Sequence, residues 1–404
     1  MPILFLIVFV DLVGFGLIIP LLPFYGERFA ASPQLVTMLL AVYSLMAMIA
    51  APLWGRLSDR IGRRPVLMAS MMAAALAYLW LGLASSLWML FAARALAGAC
   101  AGNIAAAQAY VADVTPPERR ARGMGMIGAA FGLGFIIGPA VGGIVAGNEL
   151  ATADLETPGL IAAGLSLIAF LVVLLVLPES HAASERGQPS RGRIAALCNA
   201  LGRPVLPRLL VVFFLVILAF AGMESTFALW AMRQFDWGPA QVGYALTFVG
   251  LLSAIMQGGL IGMLARRFGE ERLMLSGLAL IALGLLVLPF AHHLAPLLVA
   301  LAALALGMGA MQPTLNSLIS RCAGPAEQGE VMGVAQSIGS LSRVLGPLIA
   351  GALFEAFGRN SPFLWGALLV AGALLVGWRL PRDLAGAVTP RPRPTQGSPI
   401  GPAE

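Results

Sequence analysis

GRLSDRIGRR at residues 55–64 returns as GMLARRFGEE at residues 262–271, an offset of 207. A second pair keeps almost the same spacing. GFIIGPAVGG at 134–143 returns as SRVLGPLIAG at 342–351, an offset of 208. Each copy adjoins long apolar segments. Repetition at this spacing means that one structural unit is built twice. In a membrane chain, two such halves are the build of a transporter whose site lies between them.

The rest of the sequence identifies lipid as the main solvent. Of 404 residues, 59% are hydrophobic and 11% charged, whereas a soluble domain carries about 25% charged residues. Twelve apolar segments recur, at 3–25, 34–54, 66–84, 87–111, 123–147, 158–178, 207–232, 239–264, 272–291, 294–319, 330–357 and 361–380. Each is long enough to cross a hydrocarbon core about 30 Å thick. Lipid offers no partner for backbone groups, so the spans read as helices. They are too long and too uniformly apolar for barrel strands. The predicted fold is an all-α membrane protein of twelve transmembrane helices in two pseudo-symmetric six-helix halves, 1–178 and 207–380. A polar linker at 179–206 joins them, with a short amphipathic piece at 194–201 suited to the membrane surface. The tail at 381–404 reads as disordered from its Pro, Gly and Thr content. The first span carries Asp11 and reads as a retained span rather than a cleaved signal.

All 25 basic residues are arginine. Twenty lie in or at the edges of loops after even-numbered spans, or in the tail; only Arg28, Arg233 and Arg359 follow odd-numbered spans. Arginine-rich loops stay cytoplasmic, so both termini are expected there. The pI near 9.9 therefore reflects topology, not nucleic-acid binding. Cys100, Cys198 and Cys322 are far apart, show no metal-ligand spacing and form no disulfide framework. No metal or other cofactor is expected.

Four features carry chemistry. In the first loop, Gly55 and Gly62 permit a tight turn, and Asp59 sits among Arg56, Arg60, Arg63 and Arg64. This reads as an ion-pair latch; the plainer reading is a loop that only fixes topology. Its copy has Arg266 at the aspartate's place, so the second latch reads as degenerate. In span five, Gly134, Gly138, Pro139, Gly142 and Gly143 make a close-packing seam with a bend. Arg94 and Arg343 fall inside spans, where an arginine normally faces a polar interior. Asp11 and Glu224 are the acids well inside spans and are the candidate proton-coupling residues. By depth, Asp11 has Arg94 as its expected partner, across a gap of under about 10 Å at 1.5 Å per residue. No arginine is expected near Glu224. Asn103, Gln108, Gln257, Gln312, Asn316 and Gln336, with Phe131, Phe227 and Trp230, are the mid-span candidates for lining a substrate cavity. Most such residues in a helical bundle serve packing.

The loop at 55–64, the Arg94-x-x-x-Gly98 pair and the span-five glycines together resemble the major facilitator superfamily. LVGFGLIIPLLP after Asp11, SSLWML and RQFDWGPAQVGYAL resemble its drug-antiporter branch, which includes tetracycline/proton antiporters. The resemblance implies that Asp59 faces the start of helix eleven. It also implies that Arg63 pairs with Asp113 at the end of helix four, as a cytoplasmic gate with Arg60 and Arg64. It implies proton-coupled export of amphipathic small molecules by alternating access, driven by the proton gradient, from a bacterial inner membrane. The drug-specific charges of tetracycline exporters are missing: Ala77, Ser253 and Ile281 stand at their places, and Glu224 stands where those exporters have no acid. Uptake of a metabolite such as a sugar by proton symport is the alternative. An enzyme is not expected, because no nucleophile–base pair or phosphate loop is present. The expected partners are a small molecule, protons and the bilayer, and nothing requires more than a monomer.

Overall fold

The computed structural model describes residues 2–116, 120–149, 152–180, 202, 205–323 and 327–378. Most of the expected linker, including 194–201 and Cys198, lies outside the described residues, as does the tail at 381–404. The first half begins with α1 (Pro2–Ile18), which passes through a 3-10 turn into α2 (Leu22–Arg28). It continues through α3 (Pro33–Ile61), α4 (Arg63–Gly82), α5 (Leu87–Ala99), α6 (Asn103–Val114), α7 (Arg120–Ala146) and α8 (Glu156–Val176). The second half contains α9 (Leu206–Phe235), α10 (Pro239–Ile255), α11 (Ile261–Phe268), α12 (Glu270–Val287), α13 (Leu294–Arg321), α14 (Gln328–Phe357) and α15 (Ser361–Gly377). Among the described residues, 11 helical stretches are long and apolar enough to cross a membrane, and α15, shorter at 17 residues, completes the twelve.

Two spans are interrupted. The fourth breaks at Cys100–Gly102 between α5 and α6. The eighth carries a π turn at Met256–Leu260, which includes Gln257. Local sequence explains the main boundaries. Ser32 caps α3 by accepting from the Leu35 amide, with Pro33 at the first helical position. Gly62 (φ +101°) and Gly269 (φ +83°) turn the chain between spans two and three and between spans eight and nine. Both conformations disfavour a side chain, which accounts for the glycine in each copy of the opening repeat.

Within the halves, α7 and α8 pack on α1, and α8 also packs on α4; α14 and α15 pack on α9, and α12 packs on α13. Two pairs dominate the packing between the halves: α3 with α14, and α7 with α10. These crossings concentrate at the arginine-poor end, where the loops follow odd-numbered spans. There the Gln34 amide donates to Glu355, Arg233 lies 3.8 Å from Glu27, and the Ala240 amide donates to the Gly147 carbonyl. One hydrophobic core joins both halves at this end and runs on through the second half. At the arginine-rich end the first half has a core of its own, built from Leu4, Val66, Ala107, Ile127 and Val173 among others. A side chain added at Gly55, Gly128, Gly132, Gly258, Gly262 or Gly333 would meet nothing within 4 Å. The halves are therefore closed together at the arginine-poor end and apart at the other.

Candidate functional site

At the arginine-rich end, the loop at 55–64 does bring charges together. Arg63 is 9% exposed. Its Nη1 donates to Asp59 Oδ1 at 2.6 Å and to Ser58 Oγ at 3.0 Å, and its Nε donates to Asp113 Oδ2 at 3.0 Å. One planar guanidinium thus ties α3 to the end of α6, which a lysine's single ammonium could not do with the same geometry. Asp59 is two-thirds exposed and pairs within its own half. Arg56 and Arg60 are exposed. Arg64 Nη2 donates to the Leu174 carbonyl at 2.6 Å.

Glu179 completes this cluster and escaped the sequence reading, which placed it in the linker. Its carboxylate accepts from the Arg63 and Arg64 amides at 2.9 and 3.1 Å. A carboxylate there satisfies orphan amides at the N-terminus of α4 and complements its dipole. It lies directly over Gly62, where any Cβ would strike it.

The second copy of the loop is not degenerate, as the missing aspartate implied. Glu270 accepts from Arg321 at 3.2 Å and from Ser317 at 3.0 Å. By the repeat offsets, Glu270 stands at Arg63's place and Arg321 at Asp113's. The bridge recurs with its signs exchanged, a pattern that requires the tertiary pairing to be visible.

The span-five glycines divide their contacts. Gly134, Gly138 and Gly142 lie against Leu12, Gly16 and Leu17 of α1. Gly143 faces the other half: a Cβ there would stand 2.7 Å from the Pro239 carbonyl oxygen and 3.0 Å from Ala240 Cα. The Pro139 carbonyl abuts Gly243, and Thr247 Oγ1 donates to the Ile136 carbonyl at 3.1 Å. This motif forms one of the two seams between the halves.

Asp11 is 5% exposed. Its expected pairing with Arg94 is not made. Asn103 Nδ2 donates to Asp11 Oδ2 instead. Depth explains the difference, since Asn103 lies nine residues beyond Arg94 along the fourth span, about 14 Å nearer the arginine-rich end. The break at Cys100–Gly102 makes Asn103 the first residue of α6, facing the acid. Arg94, 1% exposed, lies under the Tyr43 ring, 4.4 Å from its centroid, and donates to the Leu39 carbonyl at 3.5 Å. Its Nη1 has no partner among the described residues. Glu224 is half-buried, and Arg343 of α14 acts on it electrostatically, without an ion pair among the described residues.

The proposed cavity residues separate into two groups. Phe227 (1% exposed) and Trp230 (0%) are core, not lining. Trp230 packs on Phe363 and Phe235, and its indole N–H donates to Asn360 Oδ1 at 3.0 Å. Phe131 packs against the first half's own core. Gln108, Gln257 and Gln336 are exposed; Gln312 and Asn316 are half-buried. An aromatic cluster the sequence did not flag lies in the first half. Phe15 is 5.4 Å from Tyr43 and meets Phe135 edge-on at 6.1 Å.

This architecture matches a known family model, described as Major Facilitator Superfamily, over residues 4–259 and 225–403. The chain belongs to the major facilitator superfamily. It is 34% identical over 386 residues to the class C tetracycline resistance protein of Escherichia coli, covering 93% of this chain and 94% of that protein. It is 36% identical over 356 residues to the class E protein of the same organism, covering 87% and 86%. The human organic anion transporter MFSD10 superposes with a TM-score of 0.70 at 26% identity, covering 93% of this chain and 98% of that one. Like these superfamily members, the chain is a multi-pass membrane transporter of small molecules.

Proposed function

We propose that the chain is a proton-coupled antiporter that exports small amphipathic molecules or drugs from a bacterium across its inner membrane, with the arginine-rich end and both termini in the cytoplasm. The observation that carries this is Asp11: a buried carboxylate held by the neutral amide of Asn103. Such a group exchanges a proton without breaking an ion pair, and an intramembrane acid is a functional position by default. Glu224 supplies a second acid in the other half. The two seams hold the arginine-poor end shut, so that rocking the halves parts the seams there and closes the arginine-rich end. The clusters around Arg63 and Glu270 brace each half at its moving end. The tetracycline-resistance relatives support drug export, although the missing drug-specific charges argue for a different molecule.

The test uses purified protein in proteoliposomes with an imposed proton gradient, on a drug chosen by a susceptibility panel with and without protonophore. Asp11→Asn and Glu224→Gln are made singly. At least one is expected to abolish drug-driven proton flux. Undiminished flux in both would sink the proposal.

A further inference from the structure

Two arginines lie inside spans, and the fold treats them oppositely. Arg94 is buried under Tyr43. Arg343 is exposed, although it sits near the middle of the 30-residue α14, more than about 20 Å from either end. A guanidinium at that depth is costly against lipid and belongs in a polar interior. Its neighbours place it there. The adjacent Ser342 donates to the Phe214 carbonyl of α9 at 3.2 Å. Further along α14, Gly351 lies against Thr37 and Gln34 of α3. The two helices run antiparallel, so eight residues back along α14 brings Arg343 level with Tyr43. Its charge reaches Tyr43 in one half and Glu224 in the other. The described residues give its side chain no ion pair or hydrogen bond. At the level of Tyr43 stands the ring cluster of Phe15, Tyr43 and Phe135. Phe135 is itself the repeat counterpart of Arg343, at the offset of 208. The two halves thus contribute a ring wall and a free guanidinium at one level between them.

We propose that Arg343, with the rings of Phe15, Tyr43 and Phe135, receives an anionic group of the transported molecule, so that the substrates are amphiphiles bearing a carboxylate or similar planar anion on an aromatic body. The guanidinium fork matches a carboxylate in two hydrogen bonds, and the ring faces accept the apolar body. Gly222 packs against Ala350, which sets Glu224 about 14 Å along the axis from Arg343, toward the arginine-poor end. A substrate that also carries a cation would place it there. The inference rests on reading the space between the halves as the transport site. It is tested by binding without a gradient, so its failure leaves proton-driven export standing, and the reverse.

The experiment measures ligand-dependent thermal stabilisation of the full-length protein. The probes are 1-naphthylacetic acid and its methyl ester, and naphthylalanine and its methyl ester. Each acid is expected to bind about tenfold more tightly than its ester. Arg343→Gln is expected to bring each pair together while leaving ester binding unchanged, which also shows that the variant is folded. Arg343→Lys is expected to retain part of the preference. Tighter binding of naphthylalanine than naphthylacetate would mark a zwitterion, and the opposite order a simple anion; either supports the proposal. No stabilisation by either acid, equal binding of acid and ester, a preference that survives Arg343→Gln, or loss of ester binding in that variant overturns it.

Discussion

Gly143→Ala places one methyl group in the seam between the halves. The added carbon would stand 2.7 Å from the Pro239 carbonyl oxygen, 3.0 Å from Ala240 Cα and 3.2 Å from Gly243 Cα. All three are backbone atoms, so no side-chain rotation relieves the contact. Overpacking of this kind costs about 1–3 kcal/mol. Alanine is the better helix former by about 1 kcal/mol, but Gly143 stays within α7 however the halves are arranged, so that gain cancels from the comparison of states. The clash does not cancel, because it exists only while the arginine-poor end is closed. The ratio of closed to open molecules is therefore expected to fall by about 5-fold to 150-fold, at 1.4 kcal/mol per tenfold. The assay is a distance distribution between spin labels at exposed Ser85 and His293, one at that end of each half, in a cysteine-free background. Longer distances should gain weight in Gly143→Ala. Gly258→Ala, whose methyl would meet nothing within 4 Å, should leave the distribution unchanged. An unaltered distribution in Gly143→Ala would refute this seam as a contact that holds the arginine-poor end closed.

Replacing Asn103 by Leu removes the donor that holds Asp11 and is expected to cost about 1–3 kcal/mol; loss of proton-driven transport alongside a lower melting temperature is the predicted pair of readouts. Glu270→Arg and Arg321→Glu each break an exposed pair, a loss of about 0.2–1 kcal/mol, while the double variant rebuilds it with the first half's polarity; a double-mutant cycle without coupling contradicts this. Trp230→Phe loses the bond to Asn360 and about 1 kcal/mol of stability. Its substrate selectivity should match the wild type, and a changed drug profile would return Trp230 to the cavity.

The sequence by itself determined the solvent, the number of spans and the division into halves, because twelve apolar runs and a repeat offset need only counting. It also located the charged loop and the glycine seam, since both are local patterns with a fixed chemistry. It could not assign partners across the bundle. Asp11 was matched to Arg94 because charge favours that pair, but a break in the fourth span put Asn103 at the acid's depth. Phe227 and Trp230 read as cavity aromatics because an apolar span has the same composition on its core face and its lining face. The exchanged bridge of Glu270 and Arg321, the helix-capping role of Glu179, and the Phe15–Tyr43–Phe135 ring cluster all join residues distant in the chain. Packing alone decides such contacts, because it sets the depth and direction in which each side chain leaves its helix.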